Sequence, residues 1–172
     1  MIRPATKEDI PQIVWCNRTA VRDSELVGYG LPVAKRVFAS EDKLSANWLS
    51  GNQVREETAP YVYVLERDGC VLGYTQIRID PHAVELDNIV VAREHQLTGI
   101  GKAIVDFVEN LAKNLGKQYV TLGTSRNIET GRPWKSYGFW LRLGYVVEGE
   151  TETEEGKENG FTEIRFRKRV LN

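Results

Sequence analysis

The chain has 172 residues, 23 Lys and Arg against 24 Asp and Glu, a net charge of −1, and 41% hydrophobic residues. It is long enough for one domain with a sizeable core, taken as residues 1–172, and too evenly charged to hold nucleic acid by bulk electrostatics. Cys16 and Cys70 lie far apart with only His82 and His95 to help them, which argues against a metal site, and no apolar run approaches membrane-spanning length.

Met1-Ile2-Arg3-Pro4 leads straight into structure with no apolar signal region, so a cytoplasmic location is expected. Ile2 to Thr6 reads as a short first strand. Thr6 is a good N-cap with acidic residues after it, and Ile10, Ile13, Val14, Asn17 and Val21 mark a helix face. Ser24 to Pro32 reads as a loop, Val33 to Leu49 as a second helix, and Gly51 to Pro60 as a polar connection. Tyr61 to Leu65 and Val71 to Ile79 are strands joined by the turn Arg67-Asp68-Gly69-Cys70, where Asp-Gly supplies positive φ. With the next strand they make an antiparallel meander.

That next strand opens the most informative stretch, Glu85 to Gly116. Leu86 to Val91 ends in the β-favouring run Ile89-Val90-Val91. A polar loop, Ala92 to Thr98, leads to Gly99-Ile100-Gly101. Ile100, Ile104, Phe107, Val108, Leu111 and Leu115 then recur at helical spacing, and Gly116 follows where a helix C′ residue wants positive φ. A helix start has unpaired N–H groups and the positive end of the dipole, and glycine lets an anion approach the backbone closely. Position 104 is Ile, so the dinucleotide fingerprint fails. Gln96 and Ala103 stand where a P-loop needs Gly and Ser or Thr. What remains is Gln96-Leu97-Thr98-Gly99-Ile100-Gly101, of the form Q/R-x-x-G-x-G/A.

This turn resembles the acyl-CoA pyrophosphate loop of the GNAT superfamily of N-acyltransferases. Gln118 to Thr124 reads as the following strand, which implies a parallel, right-handed crossover around the long helix. Pro133 to Leu143 reads as a short helix, Tyr145 to Glu150 as a strand, Thr151 to Gly160 as a solvated hairpin tip, and Phe161 to Arg169 as the last strand. The order is α+β with a mixed sheet, and it is similar to the GNAT arrangement from Ile2 to about Lys168.

The resemblance implies a mixed, mostly antiparallel sheet flanked by helices, splayed in a V between its fourth and fifth strands. Acyl-CoA would enter the gap. Its pyrophosphate would sit on the N–H groups of Leu97, Thr98, Gly99, Ile100, Gly101 and Lys102. Its pantetheine arm would pair with backbone at Ile89, Val90 and Val91, one N–H of which would hold the oxyanion. Asn127 matches the family's Asn that bonds pantetheine, and Arg93, Arg132 or Lys135 could meet the 3′-phosphate.

Glu85 and Asp87 lie two apart on the central strand and share a face. From there one carboxylate could accept the amine's proton, Glu85 ranking slightly ahead and Asp87 being an alternative base or an acceptor ligand. The family's thiolate-protonating Tyr is missing. The matching stretch is Phe139-Trp140-Leu141-Arg142-Leu143-Gly144-Tyr145, with Trp140 in the Tyr slot. Either the thiolate leaves unassisted, or Tyr137 one turn earlier takes over. The expected function is transfer of acetyl from acetyl-CoA to a primary amine of a small molecule or peptide. No metal, nucleic acid or membrane takes part, and the reading is compatible with a homodimer. The alternatives are a non-catalytic acyl-CoA-binding or sensor domain, and an interaction module without CoA.

Overall fold

The computed structural model describes residues 1–30 and 61–171. The helix expected over Val33 to Leu49 and the connection from Gly51 to Pro60 lie outside the described residues. Seven described strands form one sheet in the order β1-β2-β3-β4-β5-β7-β6. They are β1 (Ile2–Pro4), β2 (Tyr61–Arg67), β3 (Cys70–Ile79), β4 (Ala83–Val91), β5 (Tyr119–Asn127), β6 (Val146–Thr151) and β7 (Phe161–Arg169). Every neighbouring pair is antiparallel except β4 and β5, which are parallel. The fold is α+β, as the sequence implies.

Helix α1 (Ile10–Ala20) covers one face of the sheet. Ile10, Ile13, Val14 and Cys16 pack against Val62, Val64, Tyr74 and Ala92. Helix α3 (Ile100–Asn114) covers the opposite face, where Val105, Val108 and Ala112 meet Val84, Leu86, Val120, Leu122 and Phe166. The strand period of two separates the cores: Val62 and Val64 point to α1 while Tyr61 and Tyr63 point to α3. Each fully buried Val or Ile on these faces contributes about 1.5–3 kcal/mol. Gly116 takes φ +70° just beyond α3, and Asp68 and Gly69 take +52° and +79° in the β2–β3 hairpin, the positive values that the sequence requires.

Four expectations need correction. Ser24 to Gly30 is not a loop: α2 (Asp23–Tyr29) starts with the Glu25 carboxylate accepting the Arg22 N–H at 2.7 Å and ends at Gly30 with φ +91°. Strand β5 runs on to Asn127 because β7 pairs with it that far, Asn127 facing Phe161. Pro133 is not helical. It bridges Arg126, and Trp134 N–H donates to Ser125 O at 2.8 Å, so α4 spans only Tyr137–Arg142. The expected hairpin tip holds a helical turn, α5 (Glu154–Asn159), capped by the Thr153 hydroxyl accepting from Gly156 N–H and closed by Gly160 at φ +77°.

Candidate active site

The parallel ladder between β4 and β5 covers only Ala83 to Leu86 against Tyr119 to Leu122. Beyond it β4 stays on β3 as far as Val91, and β5 stays on β7 as far as Asn127. The two strands therefore part company at Leu86 and Leu122, leaving two inner backbone edges. The edge of β4 can be read by parity. Ala92 N–H donates to Leu72 O at 2.9 Å, so alternate residues Val90 and Asn88 also face β3. Ile89 and Val91 then turn their backbone groups into the gap.

A bulge sets the side chains at the apex. Gln76 faces Asn88 but Ile77 faces Leu86, so Asp87 is the extra residue on β4. Val84 and Leu86 enter the core under α3, and Glu85 and Asp87 turn away from it. The bulge also swings Asn88 to the α1 side, where its amide donates to the Tyr74 hydroxyl, which in turn donates to Asn17. Without it, Asn88 would face α3 and Ile89 would face away.

Glu85 accepts from Arg165 Nη1 at 3.0 Å, and the same nitrogen reaches Glu163 at 2.7 Å. Asp87 pairs with Arg78 Nε at 2.8 Å. Burial raises the Asp87 carboxyl above the usual range against the pull of Arg78, and Glu85 and Asp80 add to the rise. An open pocket of about 500 Å³ is lined by Arg78, Glu85, Asp87, Thr124, Glu163 and Arg165. A narrower cavity of about 220 Å³ lies at the parting of the strands, lined by Asp87, Asn88, Ile89, Thr124, Ser136 and Trp140 among others. Asp87 is common to both, whereas Glu85 lines only the open pocket.

At the mouth of the gap, Arg93–His95 forms a 3-10 turn and Leu97 takes φ +62° with its side chain fully exposed. Gly99, at φ +90°, caps α3. The first bond inside α3 runs from Ala103 N–H to Gly99 O at 3.0 Å, so Ile100, Gly101 and Lys102 have N–H groups with no partner within the helix. Thr98 Oγ1 donates to His95 O at 2.6 Å. Gln96 does not aim at this surface. Its Nε2 donates to Ala20 O at 2.8 Å and Val91 O at 3.0 Å, tying the loop to α1 and β4.

Other residues singled out from the sequence have different partners. Asn127 is buried, and its Oδ1 accepts from the Thr130 N–H at 2.7 Å and hydroxyl at 2.9 Å, holding the turn after β5. Arg93 and Lys135 both bind Glu25, at 2.7 and 3.1 Å, and Arg132 donates to Gly28 O at 2.8 Å. Burial acts to raise the Glu25 carboxyl, but the Arg22 N–H, Lys135 and Arg93 outweigh it and hold the group below its usual range. Tyr137 packs its ring edge-on against Phe166 at 5.4 Å and is not among the residues lining the narrow cavity. Trp140 is buried between Phe139 and Tyr145, with ring centroids at 4.9 and 5.4 Å.

Sequence reasoning missed Arg78, Glu163 and Arg165, which line the open pocket, and the hydroxyls of Thr124 and Ser136. Glu163 and Arg165 alternate on one strand, and that spacing alone would have put them on one face. Nothing in the sequence pointed to Ser136.

Among curated proteins, none matches the sequence. Solved structures of the same fold span nearly the whole chain. The PaiA N-acetyltransferase of Thermoplasma acidophilum, in complex with coenzyme A, shares 18% identity at a TM-score of 0.69, covering 98% of each chain. The ribosomal-protein-S18-alanine N-acetyltransferase of Escherichia coli shares 14% at 0.68, covering 100% of this chain and 94% of its own. An aminoglycoside 6′-N-acetyltransferase complexed with coenzyme A shares 13% at 0.68, covering 100% and 98%. The profile of the Acetyltransferase (GNAT) family matches residues 34–145, from before β2 to Tyr145, the residue just before β6. With that match over more than half its length, the chain belongs to the GNAT acetyltransferase family.

Proposed function

We propose that the protein transfers an acetyl group from acetyl-CoA to a primary amine by direct attack. The observation that carries this reading is the parting of β4 and β5 at Leu86 and Leu122 beside the turn at Gly99. The pyrophosphate binds the free N–H groups from Leu97 to Lys102. The pantetheine arm lies along the inner edge of β4, pairing with Ile89 and Val91. The thioester carbonyl reaches the apex, where the Ile89 N–H stabilises the oxyanion.

Asp87 takes the amine's proton. Two observations support it over Glu85: it lines both the open pocket and the narrow cavity, and burial raises its carboxyl above the usual range. Glu85, paired with Arg165, helps hold a cationic acceptor in the open pocket. The neutral amine nitrogen then attacks, its second proton passes to water, the C–S bond breaks, and CoA leaves as thiolate. The acceptor is an amine of a small molecule or a peptide. A panel of both kinds, assayed for release of CoA thiol from acetyl-CoA, tests the reading.

One observation favours acyl-CoA binding without transfer as a second reading. Trp140 fills the slot of the family's acid, and Tyr137 packs on Phe166. Acetyl-CoA binding with no thiol release across the panel would select it.

A further inference from the structure

The narrow cavity at the apex contains a pair of hydroxyls that the acetyl-transfer reading does not use. Thr124 Oγ1 and Ser136 Oγ lie 3.3 Å apart. Thr124 stands on β5 two residues past Leu122, where the strands separate, and on the same side as Leu122. Ser136 is the residue before α4, and both are half-buried in the lining of the cavity with Asp87, Ile89 and Trp140. Ser125, the next residue on β5, also lines the cavity, but strand alternation turns its side chain away from the Thr124 side. Tyr137 is outside the lining. A thioester whose carbonyl is held by the Ile89 N–H must place its sulfur in this space, toward β5 and α4.

We propose that Ser136, oriented by Thr124, donates a hydrogen bond to the sulfur of the departing CoA thiolate. The inference rests on the acetyl-transfer reading above. When the tetrahedral intermediate collapses, the C–S electron pair goes to sulfur. No bond to hydrogen breaks at Ser136: its O–H points at the thiolate, which takes its proton later from water. A thiol of ordinary pKa, about 8.5, needs only this much help to leave. Thr124 donating to Ser136 polarises the hydroxyl and strengthens the second bond. The arrangement replaces a phenol acid by a hydrogen-bond donor, which suits a chain carrying Trp140 in that slot. The competing donor is the Trp140 indole N–H, and the opposing charge is Asp87, which disfavours a nearby thiolate.

The test needs no amine. Coenzyme A itself is bound to the full chain, and ionisation of its thiol is followed by thiolate ultraviolet absorbance across pH, with affinity measured by calorimetry. The Ser136→Ala protein should bind CoA at neutral pH with nearly unchanged affinity, while the bound thiol ionises about one pH unit higher, a tenfold loss of thiolate at fixed pH. Thr124→Val should move it the same way by less. Circular dichroism on both variants reports folding. An unshifted thiol in Ser136→Ala, or a shift produced by Trp140→Phe and not by Ser136→Ala, overturns the inference and leaves acetyl transfer standing. Failure of the unsubstituted protein to bind CoA overturns both.

Discussion

The carboxamide of Gln96 joins Val91, at the end of the strand edge facing the gap, to Ala20 at the end of α1, with Nε2 donating at 3.0 and 2.8 Å. One side chain thus positions the loop that presents the amides from Leu97 to Lys102. Under the proposed function, Gln96 orients this loop, its carboxamide nitrogen donating to two backbone carbonyls. Gln96→Ala leaves two carbonyls without their donor and should cost about 1–3 kcal/mol of stability. Its acetyl-CoA affinity should fall by more than its melting temperature suggests, as calorimetry at a temperature where it is fully folded would show. Unchanged affinity in a destabilised variant would confine Gln96 to the fold.

Gly99 and Gly101 make separable predictions. Gly99 has φ +90° with open space around it, and Gly101 has an ordinary φ with Phe139 Cζ 3.6 Å from an added Cβ. Gly101→Ala should therefore fold normally and keep acetyl-CoA binding. Gly99→Ala should be destabilised by about 1–2 kcal/mol and lose most of the acetyl-CoA-induced rise in melting temperature. Equal ligand-induced rises in the two variants would move the pyrophosphate away from this turn.

Asp87→Asn should lower kcat/KM by about 10²–10⁴ at neutral pH, with partial recovery at high pH where free amine is abundant. Glu85→Gln should act mainly on KM for a cationic acceptor. Burial raises the Asp87 carboxyl in the folded protein, so the folded state binds this proton more tightly than the unfolded one. Stability from this group is full below the unfolded pKa and falls as pH rises through the higher folded value. Asp87→Asn should accordingly keep or raise the melting temperature at pH 7 while losing activity. A variant that loses both would place Asp87 in the structure and not in the chemistry.

Glu25 joins Arg93, just after β4, to Lys135, between β5 and α4. Its carboxyl is held below the usual range, so its stabilisation is present above the unfolded pKa of about 4.3 and is lost as pH falls through the folded one. The pair is partly exposed, so Glu25→Gln should cost at most about 1 kcal/mol at neutral pH. It also leaves Arg93 and Lys135 without their carboxylate near the turn at residues 96–101. Acetyl-CoA should then bind more tightly at low salt, and the gain should vanish at high salt. Affinity that is unchanged at low salt would place the phosphates out of reach of Arg93 and Lys135.

What the sequence determined is what neighbours along the chain decide. The β-favouring run at Ile89, the helical period from Ile100 to Leu111, and Gly116 at positive φ each draw their structure from adjacent residues, and all stand where the spacing put them. Glu85 and Asp87 line one pocket, as residues two apart on a strand should, although a bulge falls at Asp87. Tertiary structure decided the rest. A bulge on β4 exists because β3 pairs on both sides of Asp87, and β5 reaches Asn127 because β7 extends with it. Pro133 leaves the expected helix because Arg126 offers it a bridge, and that shift delivers Ser136 to Thr124. Arg165, Arg78 and Glu25 find their partners 80, 9 and 68 residues away in the cases of Glu85, Asp87 and Arg93. Pairing register and ion partners are fixed by surfaces that meet only when the chain has closed. No local pattern encodes them, and in this protein they form the apex where the chemistry is proposed to occur.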